Sequence, residues 1–340
     1  MPLRLTSRSY RARVSPGNAI GTAMIALAWV AISAHAGAQP AVKVRTIGWL
    51  SQTAAPGKDA PRAEDFQRSL RDLGYVEGRN LRIEYRYANG DLARLDALAD
   101  ELVRLAVEVL VTSGEPAAIA AKRATRSIPI VATEMTADPV KSGLVASLAR
   151  PGGNVTGVAT EELWPKRLAL LRELVPSVST VAVLWNPANA ANAACKQEIG
   201  AAGPALNLQL RDLEVRDPRA VDSALAALVK DLPHALVACW DDVTLAKAKT
   251  IARFALEHRL ATLAPLTDYV EAGVLLSLGT SLSTQRRGAA RYVSRILSGS
   301  APGDLPVENS QPKLVINEKT LQSLRLPLPV SFQVRIDDVL

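Results

Sequence analysis

The chain has 340 residues, 48% hydrophobic and 21% charged, with a formal net charge of +7 and two cysteines. That length exceeds one comfortable hydrophobic core and predicts two lobes, while the composition excludes a disordered or collagenous chain and the cysteine count excludes a disulfide scaffold. The positive balance is a weak nucleic-acid signal, because Arg4, Arg8, Arg11 and Arg13 stand together at the N-terminus.

Those arginines precede an uncharged apolar run from Ala19 to Ile32, and small residues ending in Ala36-Gly37-Ala38 follow it. The run is shorter than the roughly 20 residues of a membrane span, so residues 1–38 read as a secretory signal peptide with an AxA-type cleavage site. The mature chain is expected to begin near Gln39, free in the periplasm. No cysteine stands at the site to accept a lipid, and Arg8 and Arg11 are not an adjacent twin-arginine pair. Four arginines with no acidic residue argue against the alternative, a buried N-terminal helix. Cleavage removes four of the 40 basic residues and none of the 33 acidic ones, leaving +3. The remaining charges alternate in sign, as in Arg68-Ser69-Leu70-Arg71-Asp72, and read as solvated helix faces rather than a nucleic-acid surface.

From Val42 onward, short β-branched runs alternate with longer amphipathic stretches, the rhythm of βαβ units on a parallel sheet. Strands are expected at 44–50, 81–87, 108–112, 128–133 and 155–158. A helix over 64–73 ends at Gly74. Another over 92–105 carries Leu95, Leu98, Leu102 and Leu105 at helical spacing, with Asp91 as N-cap. Arg150-Pro151-Gly152-Gly153-Asn154 interrupts the pattern, which then restarts with strands at 180–185, 206–213, 235–239 and 261–263 and helices near 164–174, 190–201, 218–230 and 243–258. After 274–278 come a helix over 284–297, a turn at 299–303, a short run at 305–307 and a strand at 313–316.

The expected fold class is therefore α/β: two doubly wound parallel-sheet lobes joined by a hinge that the chain crosses several times. Residues 42–158 and 281–312 form the first lobe, and 159–280 and 313–335 the second. Cys195 and Cys239 are allowed a disulfide in an oxidising compartment. The favoured reading leaves Cys239 as a small buried residue of its apolar run, since nothing in the spacing brings the two Cβ atoms together.

No GxGxxG follows the first strand, where Ile47-Gly48-Trp49-Leu50-Ser51 stands instead. No GxSxG elbow occurs, and Gly152-Gly153-Asn154-Val155-Thr156-Gly157 lacks the Lys and Ser/Thr of a phosphate loop. His234 and His258 show no metal-ligand spacing. No metal, no cofactor and no catalytic group is expected.

What recurs is a polar or small cluster at the end of nearly every strand: Ser51-Gln52-Thr53, Thr112-Ser113-Gly114-Glu115, Thr133-Glu134, Trp185-Asn186-Pro187, Trp240-Asp241-Asp242 and Ser277-Leu278-Gly279-Thr280. Ligands of doubly wound sheets sit in the crevice beyond the carboxyl ends of the strands. The candidate ligand residues are thus Ser51, Ser113, Gly114, Glu115, Thr133 and Asp138 in the first lobe, and Trp185, Asn186, Asp241 and Ser277 in the second. Glu115 or Asp138 would meet an amino group, Asn186 would bridge, and the tryptophans would pack on an apolar body. For each residue the competing role is an N-cap or loop polarity with no ligand at all. Trp49, Trp185 and Trp240 fall at or just past strand ends and Trp164 follows the first lobe crossing, which puts all four near the cleft, Trp49 being equally well a core residue.

Asp72-Leu73-Gly74-Tyr75-Val76-Glu77-Gly78-Arg79-Asn80, with Ile83-Glu84-Tyr85-Arg86 after it, resembles the family of ABC-transporter substrate-binding proteins that includes tryptophan-binding members. Ile128-Pro129-Ile130-Val131, Asp138-Pro139-Val140, Pro151–Val158, Lys166-Arg167-Leu168, Leu171–Pro176 and Asn186-Pro187-Ala188-Asn189 are similar to that family's blocks in the same order, from Val42 to Pro327. The resemblance implies a type I periplasmic-binding fold that closes on a small solute, an amino acid or small aromatic compound, and hands it to an ABC permease of the inner membrane. Trp185 and Trp240 stand where aliphatic or small residues are expected, a departure that suits a flat solute. The rival readings are a sensory module for a membrane receptor and, with no nucleophile, base or metal cluster to support it, an exported enzyme. A cytoplasmic repressor is excluded by the signal peptide.

Overall fold

The computed structural model describes residues 43–53, 55, 64–135, 138–161 and 163–340. The signal peptide and the mature start at Gln39 lie outside the described residues.

The first sheet is built from β1 (Arg45–Ser51), β2 (Leu81–Tyr87), β3 (Val109–Ser113), β4 (Ile130–Met135), β5 (Val155–Thr160) and β11 (Glu308–Ser310), in the order β11-β5-β4-β3-β1-β2. All its pairings are parallel. A parallel sheet covered on both faces needs strands that are apolar throughout, and β3 is buried at every position. On β1, Ile47 and Trp49 face α1 (Glu64–Asp72) through Phe66 and Leu70, and α10 (Leu282–Leu297) through Ala289, Ala290 and Val293. Leu50 points the other way, onto Leu98 and Leu102 of α2 (Leu95–Arg104) and the alanine face of α3 (Glu115–Ala124). Asp91 caps a short 3₁₀ turn ahead of α2 by accepting from the Ala93 N–H. The chain turns after α1 at Gly74, whose φ of +89° suits glycine.

The second sheet contains β6 (Thr180–Trp185), β7 (Gln209–Glu214), β8 (Ala235–Ala238), β9 (Ala261–Leu266), β10 (Leu276–Thr280), β12 (Lys313–Ile316) and β13 (Asp338–Val339), in the order β13-β12-β10-β9-β8-β6-β7. Only β12 runs antiparallel, against β10. One face packs on α4 (Trp164–Leu174) and α5 (Ala190–Ala202), the other on α6 (Pro218–Leu228), α8 (Ala248–Glu257) and α9 (Thr267–Glu271). The chain passes between sheets after Thr160, between β10 and α10, and between β11 and β12. α10 belongs with the first sheet, packing on β3, β4 and β5.

Each sheet carries an irregularity at the cleft end of its crossing strand. The β4–β5 register shifts between Ala132 and Met135, and a Cβ on Gly157 would lie 1.8 Å from the Ala132 carbonyl oxygen. The β9–β10 register shifts between Ser277 and Thr280, and a Cβ on Gly279 would lie 1.6 Å from the Pro265 carbonyl oxygen. Glycine is obligatory at both bulges because another backbone occupies the side-chain position.

Several expected elements are corrected. The strand expected from 206 starts at Gln209, because Pro204–Leu206 forms a 3₁₀ turn closed by Asn207 at φ 53°. The helix expected over 243–258 breaks at Lys247 into α7 (Asp242–Ala246) and α8. The short run at 305–307 is irregular, and β11 follows it. The first sheet extends along β5 to Thr160 rather than ending at 158, and β13 carries the second beyond 335. Cys239 is not a free buried thiol: it is disulfide-bonded to Cys195, with Cα atoms 6.1 Å apart. β6 pairs with β8, so the helix that follows β6 lies over the end of β8 and brings the two cysteines together.

Candidate functional site

In the first lobe, register aligns Ser51 with Ser113 and Ser113 with Thr133 at the carboxyl end of the sheet. Ser51 Oγ bonds Thr53 Oγ1 at 3.0 Å and accepts from the Thr53 N–H. Ser113 Oγ donates to Glu134 Oε2 at 2.5 Å. Glu134 sits on the bulge at φ 62°, donates its N–H to Gln285 Oε1, and binds the Arg286 guanidinium at 2.6 and 3.0 Å. The Glu134 and Arg286 side chains are 2% and 3% exposed, a fully desolvated ion pair. Gly114 has φ 91° and starts α3; a Cβ there would strike the Gln52 amide at 2.6 Å, so glycine lets Gln52 lie across the helix start. Glu115 is buried in the first turn of α3, where the helix dipole favours a carboxylate.

After these bonds are made, Gln52 Oε1, Thr133 Oγ1 and Gln285 Nε2 remain buried with no partner. Native interiors leave few such groups, and each normally awaits a ligand or a water. Asp138 is not brought into this cluster. Its side chain is 45% exposed and its carboxylate accepts from the Val140 N–H at 2.9 Å, a turn-capping position beside Lys141.

In the second lobe, Asn186 and Asp241 do meet, within a closed set of bonds. Asp241 caps α7 through the Val243 N–H, and its carboxylate also receives Asn186 Nδ2 at 3.3 Å and Asn189 Nδ2 at 2.9 Å. Asn192 ties the same loop down by donating to the Trp240 carbonyl and accepting from the Asn186 N–H. Ser277 is buried in β10 with its Oγ unpartnered.

The tryptophans divide. Trp49 packs on Phe66 at 4.9 Å within the first-lobe core, the second of the two roles open to it. Trp185 lies in the second-lobe core with Lys196 Nζ 4.8 Å above its ring. Trp164 and Trp240 line a narrow crevice with Thr160, Arg167, Asn192 and Pro265. Arg167 is buried, donates to the Leu278 carbonyl at 2.8 Å and stacks over Trp164 at 4.8 Å. The indole N–H groups of Trp164, Trp185 and Trp240 all lack a partner.

Between the lobes stands Asp268 of α9, which accepts from the N–H of Leu282, the first residue of α10, at 3.0 Å. Burial raises the pKa of its carboxyl; the Arg286 charge opposes that rise and the Glu134 charge adds to it. Burial also pushes the Tyr87 phenol up to about 12, against the pull of Arg286. Tyr87 and Asp268 therefore both sit in the field of the Glu134–Arg286 pair at the lobe boundary.

Sequence reasoning quoted Gln52 and Glu134 within polar strand-end clusters without selecting them. It had no signal for Gln285, Arg286 or Asp268, which reach the site from helices beyond the crossings. Among the described residues, no group of His, Cys, Asp and Glu is arranged to hold a metal, and no helix is long and apolar enough to cross a membrane. His258 closes α8, and His234 Nδ1 bonds Thr180 Oγ1. The arrangement offers hydrogen-bond groups and aromatic walls suited to holding a molecule.

Comparison with known proteins follows the same line. A tyrosine-binding protein of Clostridioides difficile is 27% identical over 283 residues, covering 83% of this chain and 81% of that protein. A conserved domain protein from Vibrio cholerae superposes with a TM-score of 0.78 at 28% identity, over 88% of this chain and all of that one. An ABC domain from Streptococcus pneumoniae in complex with L-Trp superposes at 0.77 with 24% identity, over 88% of this chain and 100% of that one. The model of the ABC transporter substrate binding protein family matches residues 53–339. With that match across most of its length and two α/β lobes of the type I periplasmic-binding kind, the chain belongs to the family of ABC transporter substrate-binding proteins, whose members bind a solute and do not transform it.

Proposed function

We propose that the chain is exported to the periplasm, where it captures an amino acid or a small aromatic compound between its lobes and delivers it to an ABC importer in the inner membrane. The observation that carries this reading is the set of buried, unpartnered polar atoms at the carboxyl ends of both sheets: Gln52, Thr133 and Gln285 in one lobe, Trp164 and Trp240 in the other. Leaving each unpaired costs about 1–3 kcal/mol, so a solute that satisfies them is favoured. Gly114 and Glu115 complete the first-lobe cradle, with Glu115 facing an amino group. Ser113 positions Glu134, and Asn186 with Asp241 fixes the Trp240 loop. Ser51, Trp185 and Ser277 support the walls from beneath, and Asp138 lies at the rim. Closure of the lobes about the three crossings would seal the solute from water. The names of the tyrosine-binding relative and the L-Trp-bound neighbour agree with an aromatic amino acid as the first candidate.

The test is a thermal-shift screen of residues 39–340 against amino acids and aromatic acids, followed by calorimetry. A true solute raises the melting temperature by mass action, at 100 times its Kd by about 2.7 kcal/mol of added stability. Thr133→Val and Gln285→Leu should then weaken binding while the chain remains folded. A confirmed solute whose affinity ignores both changes would refute the placement. An intact Met1 on protein recovered from cells would refute export.

A further inference from the structure

The second-lobe crevice has a restricted chemical vocabulary. An indole N–H can donate and cannot accept. Trp164 and Trp240, 1% and 4% exposed, both line the crevice, and the buried N–H of each has no acceptor. None of the other side chains there accepts from either indole. Asn192 spends Oδ1 on the Asn186 N–H and Nδ2 on the Trp240 carbonyl, Arg167 has only donors, and Thr160 Oγ1 donates its proton to the Met135 carbonyl and keeps its lone pairs. Ala191, Cys195, Pro265 and Leu266 complete the lining. The free space accommodates about one water molecule, enough for a single oxygen and too little for a ring. The loop carrying Trp240 is held rigidly by the Cys195–Cys239 bond and by Asn192, so the wall does not readily turn its donor elsewhere.

We propose that this crevice selects the far end of the solute by indole donation: Trp164 and Trp240 together seat one oxygen acceptor, a ring hydroxyl projecting from an aromatic body that lies across the cleft. The inference rests on the reading of the cleft as an aromatic-solute site and adds the feature that distinguishes hydroxylated from unhydroxylated solutes. Trp185 has the same unpartnered N–H but does not line the crevice, so it has no part in the selection. A solute without the oxygen either leaves two donors buried and unsatisfied or traps a water. One with the oxygen satisfies both, and discrimination of roughly ten- to a hundredfold follows.

The experiment is calorimetry on residues 39–340 with two matched pairs, L-tyrosine against L-phenylalanine and 4-hydroxyphenylacetate against phenylacetate. In at least one pair the hydroxylated member should bind about tenfold tighter or better. Trp164→Phe with Trp240→Phe should reduce that ratio to near unity through loss of the tighter member's affinity, while Trp185→Phe keeps it. A second measurement does not depend on the variants folding. In the ¹⁵N spectrum of the unaltered chain, two indole N–H resonances should shift downfield with the hydroxylated compound and stay in place with its partner. Equal binding within both pairs, or discrimination that survives the double substitution, overturns the donor crevice and leaves the aromatic-solute reading standing. Binding by none of the four compounds overturns that reading and the proposal with it.

Discussion

Breaking the Cys195–Cys239 bond should destabilise the second lobe alone. The bridge closes a loop of 44 residues, wholly within the segment that runs from α5 across β7 and α6 to the end of β8. Chain entropy for such a loop, −2.1 − 1.5R ln n, comes to about −13 cal/mol/K, or about 4 kcal/mol at 25 °C. Both sulfurs are buried, so reductant reaches them only in the unfolded chain, and the comparison requires reduction in denaturant followed by refolding. Urea unfolding of oxidised and reduced protein, followed by tryptophan emission and far-ultraviolet dichroism, should show a second-lobe transition lowered by about 4 kcal/mol with a first-lobe transition unmoved. The Cys195→Ala, Cys239→Ala double variant should lose more, since it also removes packed sulfur. A shift below about 1 kcal/mol would refute the entropic argument. A first-lobe transition that moved equally would refute the assignment of the cross-link to one lobe.

Glu134→Gln or Arg286→Met should each cost about 3–5 kcal/mol, because either leaves a desolvated charge unpaired, whereas replacing both with apolar residues should cost much less; a denaturation double-mutant cycle measures the coupling. Gly157→Ala and Gly279→Ala should abolish soluble yield, because the added Cβ collides with a carbonyl oxygen, while Gly74→Ala, with nothing within 4 Å, should lower stability by only about 1 kcal/mol through its positive φ. The raised pKa of Asp268 means that the native state holds its proton more tightly than the unfolded state. Stability should therefore fall as pH rises from the ordinary aspartate value through the raised one, and Asp268→Asn should flatten that fall in pH-dependent melting curves. Binding of a confirmed solute should shift tryptophan emission mainly through Trp164 and Trp240, so that emission from Trp164→Phe/Trp240→Phe responds weakly and emission from Trp185→Phe responds as before.

The two-lobed fold was legible because parallel strands covered on both faces must be short and apolar, and Val109–Ser113 and Thr180–Trp185 stand out from the amphipathic helices around them. The strand-end clusters were legible too, since Ser51, Ser113 and Thr133 stand in register toward the carboxyl end of the first sheet. What the sequence hid is reached through long-range geometry. Gln285 and Arg286 look like the polar face of an ordinary helix until α10 is seen to dock on the first sheet, where both are buried. Trp164 and Trp185 both pack into the second-lobe core, and only the packing of α4 puts Trp164 on the crevice wall as well. The disulfide escaped for the same reason, because 44 residues of separation say nothing about which helix overlies which strand. Asp138, by contrast, is a polar residue whose carboxylate is engaged by its own turn, which its place in the order did not reveal.

The docking of α10 bears on the order in which the molecule can be made. Ala289, Ala290, Val293 and Ile296 cover Ile47, Trp49, Val109 and Val111, yet the helix that carries them is synthesised only after the whole of β6 through β10. A nascent chain that has just completed β5 thus covers that face of its first sheet only through Phe66 and Leu70 of α1, and the rest stays open while well over a hundred further residues emerge. The contacts that finish the amino-terminal half are among the most distant in sequence, which slows folding. On the proposed export such delay would be useful: the half that leads would not lock into its final form ahead of the half that trails.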